Sequence, residues 1–129
     1  MQPRRFDRRM SLRLPSEPEF AVTVRTFVAT GARYFGVAED VTEDLRLAAS
    51  ELFAHAVQGS AGEVSFTMNG EDGRVDLDMS GAPPLSEAPG DSPSDDPEGW
   101  LATHRLTLLR AIAEVQAVGA DVRVSVPSD

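Results

Sequence analysis

Hydrophobic and polar positions change period several times along the chain, and each change marks an element. Met10, Leu12 and Leu14 alternate with Ser11 and Arg13, which predicts a half-buried strand ended by Pro15 and Pro18. From Glu19 to Phe35 the residues Phe20, Val24, Phe27, Val28 and Phe35 recur at the spacing of an amphipathic helix, and Gly36 is placed to stop it. A second helix is expected to begin near Thr42, whose hydroxyl suits a cap, and to run through Leu45, Leu47, Ala48, Leu52, Ala56 and Val57 until Gly59, Ser60 and Gly62 break it. Val64, Phe66 and Met68 then alternate with Ser65, Thr67 and Asn69, and Val75, Leu77 and Met79 alternate with Asp76, Asp78 and Ser80. With the glycine-containing turn at 69–73 between them, these two runs predict an antiparallel hairpin with one wet face.

Residues 81–98 hold five prolines and five acids, a composition that predicts a long mobile loop. From Trp100 to Val118 the residues Leu101, Leu108, Ile112 and Val115 have helical spacing, Leu106, Leu109 and Ala113 widen the stripe, and Gly119 is expected to close this helix. Val122, Val124 and Val126 predict a last strand. The expected order is strand, helix, helix, strand, strand, long loop, helix, strand. Such an order makes an α/β (α+β) two-layer sandwich, a mixed, mostly antiparallel four-stranded sheet with three helices on one face. A chain of 129 residues is expected to close one domain, here residues 10–127, preceded by a flexible arginine-rich arm at 1–9.

Composition narrows the chemistry. There is no cysteine, so disulfides and thiolate sites are excluded, and with only His55 and His104 as imidazoles a zinc site is not expected. No apolar run approaches the roughly 20 residues that cross a bilayer, and the arginine-rich start lacks the apolar stretch of a signal peptide, so no membrane is involved and the expected compartment is the cytoplasm. A net charge of −9 argues against nucleic acid as a partner. Arg4, Arg5, Arg8, Arg9 and Arg13 nevertheless concentrate base at the start, as a solvated tail, as a contact for an acidic protein surface including the acidic loop of a second copy in a homodimer, or as a source of weak, salt-sensitive nucleic-acid affinity. All twelve basic residues are arginine, a GC-rich codon signature of actinobacterial type.

The stretch Leu45-Arg46-Leu47-Ala48-Ala49-Ser50-Glu51-Leu52-Phe53-Ala54-His55-Ala56-Val57 resembles the segment L-x-L-A-x-S-E-L-x-x-N-A of the bacterial anti-sigma-factor serine/threonine kinases. The element order is similar to that of the same family, whose domain is the ATPase fold shared by histidine kinases and gyrase. The resemblance covers residues 10 to 127 and implies that Glu51 stands at the general base of phosphate transfer from ATP to a protein serine. It places His55 where the family has the asparagine that holds Mg²⁺, and an imidazole is a poor ligand for that hard cation. It sets Gly81 on the first glycine of the family's D-x-G-x-G, so that Met79 falls on the adenine-binding aspartate and Pro83 on the second glycine. Asp78, one residue away, is expected on the opposite face of the sheet. In the third motif, G-x-G-L-x-L-V, the apolar half is kept from Leu106 to Leu109, while Thr103 and Arg105 replace the glycines that let a triphosphate approach.

The altered nucleotide motifs imply an anti-sigma-factor-like regulatory protein that acts through protein–protein binding, with weak or absent ATP binding and no cofactor expected. The partner would be a sigma factor or an anti-sigma-factor antagonist. The alternative is an active ATP- and Mg²⁺-dependent serine kinase that phosphorylates such an antagonist, with His55 and Arg105 replacing the missing groups. Read as residues alone, Glu51 is either that base or a solvated acid, His55 a ligand or a space-filling imidazole, and 81–98 a lid-like or partner-binding loop or an inert insertion.

Overall fold

The computed structural model describes residues 9–71, 73–84 and 105–128. Strand β1 (Arg9–Pro15) leads through a 3-10 turn (Pro18–Phe20) into helices α1 (Ala21–Tyr34) and α2 (Glu39–Gln58). Strands β2 (Glu63–Glu71) and β3 (Arg74–Ser80) follow, then α3 (Arg105–Ile112) and strands β4 (Glu114–Val118) and β5 (Asp121–Pro127). The result is an α+β fold with one five-stranded sheet in the order β1-β2-β3-β5-β4, and every neighbouring pair is antiparallel.

The expected sheet was four-stranded and mixed; the difference is β4. The helical spacing of Leu108, Ile112 and Val115 predicts Glu114–Val118 as the end of the last helix. The same five residues also alternate, with Val115 and Ala117 on one side and Glu114, Gln116 and Val118 on the other. Pairing decides between the two periods, since Val115 meets Val124 and Ala117 meets Val122, which brings both apolar side chains to the inner face. Gly119, with φ +59 in the two-residue connection between Val118 and Asp121, turns a hairpin instead of ending a helix.

Two further boundaries move. Helix α2 begins at Glu39, three residues before Thr42, with Glu39 and Asp40 in its first turn, where carboxylates oppose the helix dipole. The Thr42 hydroxyl donates to the Ala38 carbonyl at 2.9 Å and so lies inside the helix rather than capping it. Arg9, assigned to the arm, belongs to β1 opposite Asn69, to whose side-chain oxygen its Nε donates at 3.0 Å. The rest of the arm, residues 1–8, lies outside the described residues, as do 85–98 of the acidic loop.

On the inner face, side chains line up across the strands. Leu12, Phe66, Met79, Val122 and Ala117 form one row, and Met10, Met68, Leu77, Val124 and Val115 the next. Val24, Val28 and Ala32 of α1, Leu45, Leu52, Phe53 and Ala56 of α2, and Leu106 and Leu109 of α3 cover these rows and complete the core. The Phe53 and Phe66 rings join the layers, their centroids 6.4 Å apart and tilted by 49°. The outer face is polar, as expected: Arg123 grips Asp78 with two bonds of 2.7 and 3.0 Å, and the Ser125 hydroxyl donates to Asp76 at 2.6 Å. Among the described residues no helix is long and apolar enough to cross a membrane.

Phe66 sits in the middle of the sheet and is fully buried. Phe66→Ala is expected to cost about 3–5 kcal/mol of stability, read as a lowered urea midpoint with an unchanged slope.

Candidate functional site

Helix α2 carries Glu51, His55 and Gln58 at intervals of four and three, which is one stripe along its length. The stripe is met by two segments distant in sequence, the start of α3 and the residues just after β3.

From α3 comes Arg105, only 3 % exposed. Its Nε donates to Glu51 Oε1 at 3.0 Å, and its Nη1 donates to Gln58 Oε1 at 3.2 Å. The Glu51 side chain keeps 23 % of its surface in contact with solvent, so this ion pair is buried at one end and wet at the other. Next to it in sequence, Leu106 is buried and belongs to the core.

After β3 the chain turns sharply at Gly81, where φ is +101 and a Cβ would lie 2.8 Å from the Glu63 carbonyl oxygen. No other residue fits there without moving backbone. Ala82 is then buried, Pro83 packs on Gly59, and the Pro83 carbonyl lies 2.8 Å from His55 Nε2. Because a carbonyl only accepts, Nε2 carries the proton of this bond. Within the span expected to be a mobile loop, Pro83 is thus docked on the end of α2 and Ala82 is buried.

Met79 is fully buried on the inner face, opposite Phe66 and Val122. Asp78 faces the other way, and the register runs through Thr67–Asp78 and Phe66–Met79 without a bulge. Its carboxylate is taken by Arg123, whose guanidinium pKa is raised first by that hydrogen bond and then by the Asp78 charge.

The structure therefore brings together Glu51, His55, Arg105 and the Gly81 turn, and it keeps Met79 and Leu106 in the core. Gln58 and the Pro83 carbonyl were missed; Gln58 lies seven residues after Glu51, two turns along the same stripe, and that spacing would have found it. Thr103 and His104 lie outside the described residues.

At the positions the resemblance assigns to a nucleotide site, Met79 presents a buried thioether, the Nε2 of His55 is committed to a backbone carbonyl, and Arg105 is bonded to Glu51. Among the described residues no group of three or more histidine or carboxylate side chains is arranged to hold a metal. Comparisons with protein-family models and with curated proteins give no match.

Removing Arg105 leaves a partly buried carboxylate and an amide without their donor. Arg105→Ala is expected to lower stability by about 1–3 kcal/mol in urea titration. The loss should shrink in a Glu51→Gln background, and equal losses in both backgrounds would show that the two side chains are not coupled.

Proposed function

We propose that this chain is a regulatory binding module of the anti-sigma type, on a histidine-kinase-type ATPase fold. On this reading it controls transcription by occupying a protein partner in the cytoplasm, a sigma factor or an anti-sigma-factor antagonist, and binds ATP weakly or not at all. The observation that carries the reading is the Arg105–Glu51 pair, which occupies both ends of the machinery the resemblance implies. The residue in the position of the general base accepts a hydrogen bond from the residue in the position of a phosphate-loop glycine.

The energetic consequence follows from charge. A triphosphate entering beside α2 meets an ion pair whose two charges already offset one another, so the guanidinium has little net attraction left for phosphate. Met79 gives no bond to the base in return.

The second reading, a working serine kinase, differs in where Arg105 goes. Were the guanidinium to leave Glu51 for a phosphate oxygen, the carboxylate would be freed to accept a proton from an attacking serine. The 23 % of the Glu51 side chain that stays in contact with solvent is what favours this alternative.

Isothermal titration with Mg-ATP separates the two. The wild-type chain is expected to show no saturable binding up to about 1 mM nucleotide, a ceiling of roughly 4 kcal/mol of binding free energy. Micromolar binding that disappears in Arg105→Ala or Glu51→Ala, with serine phosphorylation of an antagonist protein, would overturn the binding-module reading.

A further inference from the structure

We propose that the trough between α1 and α2 is a docking surface for an acidic polypeptide segment of the partner. The proposal rests on the reading that this chain works by binding a protein, and it names the chemistry of that contact.

The trough is bounded by Val22, Arg25, Thr26, Thr30 and Arg33 of α1 and by Arg46 of α2, around a concavity of about 390 Å³. No acid lines this part. A second concavity of about 740 Å³ shares Arg33 and Arg46 and continues towards Glu39, Asp40 and Glu43 at the start of α2. The trough is therefore polarised, basic along α1 and acidic at one end.

Its arginines differ from most others in the fold. Arg13, Arg74, Arg105 and Arg123 each face a carboxylate. Arg25 and Arg33 have neither a hydrogen bond nor an ion pair among the described residues, in a chain with 21 acids against 12 arginines. Arg46 is held at one corner by Glu43 at 2.9 Å, yet its Nε is buried with no acceptor. A guanidinium carries five donors in a planar fork suited to carboxylates, so Arg25 and Arg33 present unused donors in a geometry that matches that group.

Spacing and polarity point to a polypeptide. Arg25 and Arg33 are eight residues apart on one helix, about 12 Å at 1.5 Å per residue. Carboxylates four residues apart on an extended segment span about the same distance. Val22, 61 % exposed at the margin, offers apolar contact beside the charges. A nucleic-acid backbone, charged at every nucleotide, is disfavoured by the acids at one end of the trough, which a segment with carboxylates only at intervals can avoid.

The test is fluorescence anisotropy with the full chain and a labelled peptide of repeated Glu-Ala-Ser-Leu, against its glutamine-for-glutamate counterpart. Saturable, salt-sensitive binding of the glutamate peptide alone is expected. Arg25→Glu with Arg33→Glu should weaken it by about tenfold or more, and the milder pair Arg25→Gln with Arg33→Gln should also weaken it, each with an unchanged circular dichroism spectrum. Arg13→Glu, on the far face of the sheet, should leave it unaltered. Undiminished affinity in the glutamine pair, no binding of the glutamate peptide, or equal binding of the neutral peptide would overturn the proposal. So would an oligothymidylate that binds more tightly than the peptide. Titration with Mg-ATP reads Arg105 and Glu51 instead, so failure of either proposal leaves the other identifiable.

Discussion

The ion pair between Arg105 and Glu51 is the constraint around which the helical layer closes. A guanidinium taken out of water costs several kcal/mol unless acceptors come with it, and here one stripe of α2 supplies a carboxylate and an amide oxygen. Because the arginine lies on α3, satisfying it also holds that helix against α2. From that anchor Leu106 and Leu109 enter the core, and the helix runs to Ile112 before the chain turns into the β4–β5 hairpin. The polar contact and the apolar packing are one arrangement, since neither helix can shift without exposing leucines or stranding a charge.

The same dependence explains what could be read from the chain and what could not. Strands β2 and β3 were legible because each alternates for seven residues or more, with one face wholly apolar and the other wholly polar apart from Gly70. Strand β4 was not, because five residues fit a helical and an alternating period equally well, and only Val122 and Val124 on the partner strand decide between them. At the start of α2, a hydroxyl suggested a cap while two acids at the helix dipole set the boundary. Asp78 and Met79 were placed on opposite faces by the two-residue period alone, and that placement holds. The choice Arg105 makes between a phosphate and a carboxylate lay beyond the sequence, because it depends on α2 and α3 meeting, which no local pattern encodes.

Arginine is used in two ways across the molecule. On the outer face of the sheet it is spent on the fold: Arg123 on Asp78, Arg74 on Glu114 and Arg9 on Asn69, with Ser125 closing on Asp76. A surface whose donors and acceptors already answer one another has little to offer a partner, because any new bond must displace an existing one. Along α1 the reverse holds, for Arg25 and Arg33 remain unspent beside a concavity. An acidic chain gains nothing in stability from leaving cations unpaired, so their position is more informative than their number.

On the proposed reading Arg105 stands where the anti-sigma kinases have a phosphate-approach glycine, and a charge in place of a space has different consequences for a polyanion. A space lets the ligand in and contributes nothing itself; an arginine attracts the ligand only while its own charge is free. Glu51 removes that freedom by accepting from Arg105 in a site that is dry at one end. A nucleotide would then have to break a partly buried pair before gaining from it, whereas a protein partner that contacts the helices from outside needs no such step. The scaffold is compatible with both outcomes, and the partner of one guanidinium separates them.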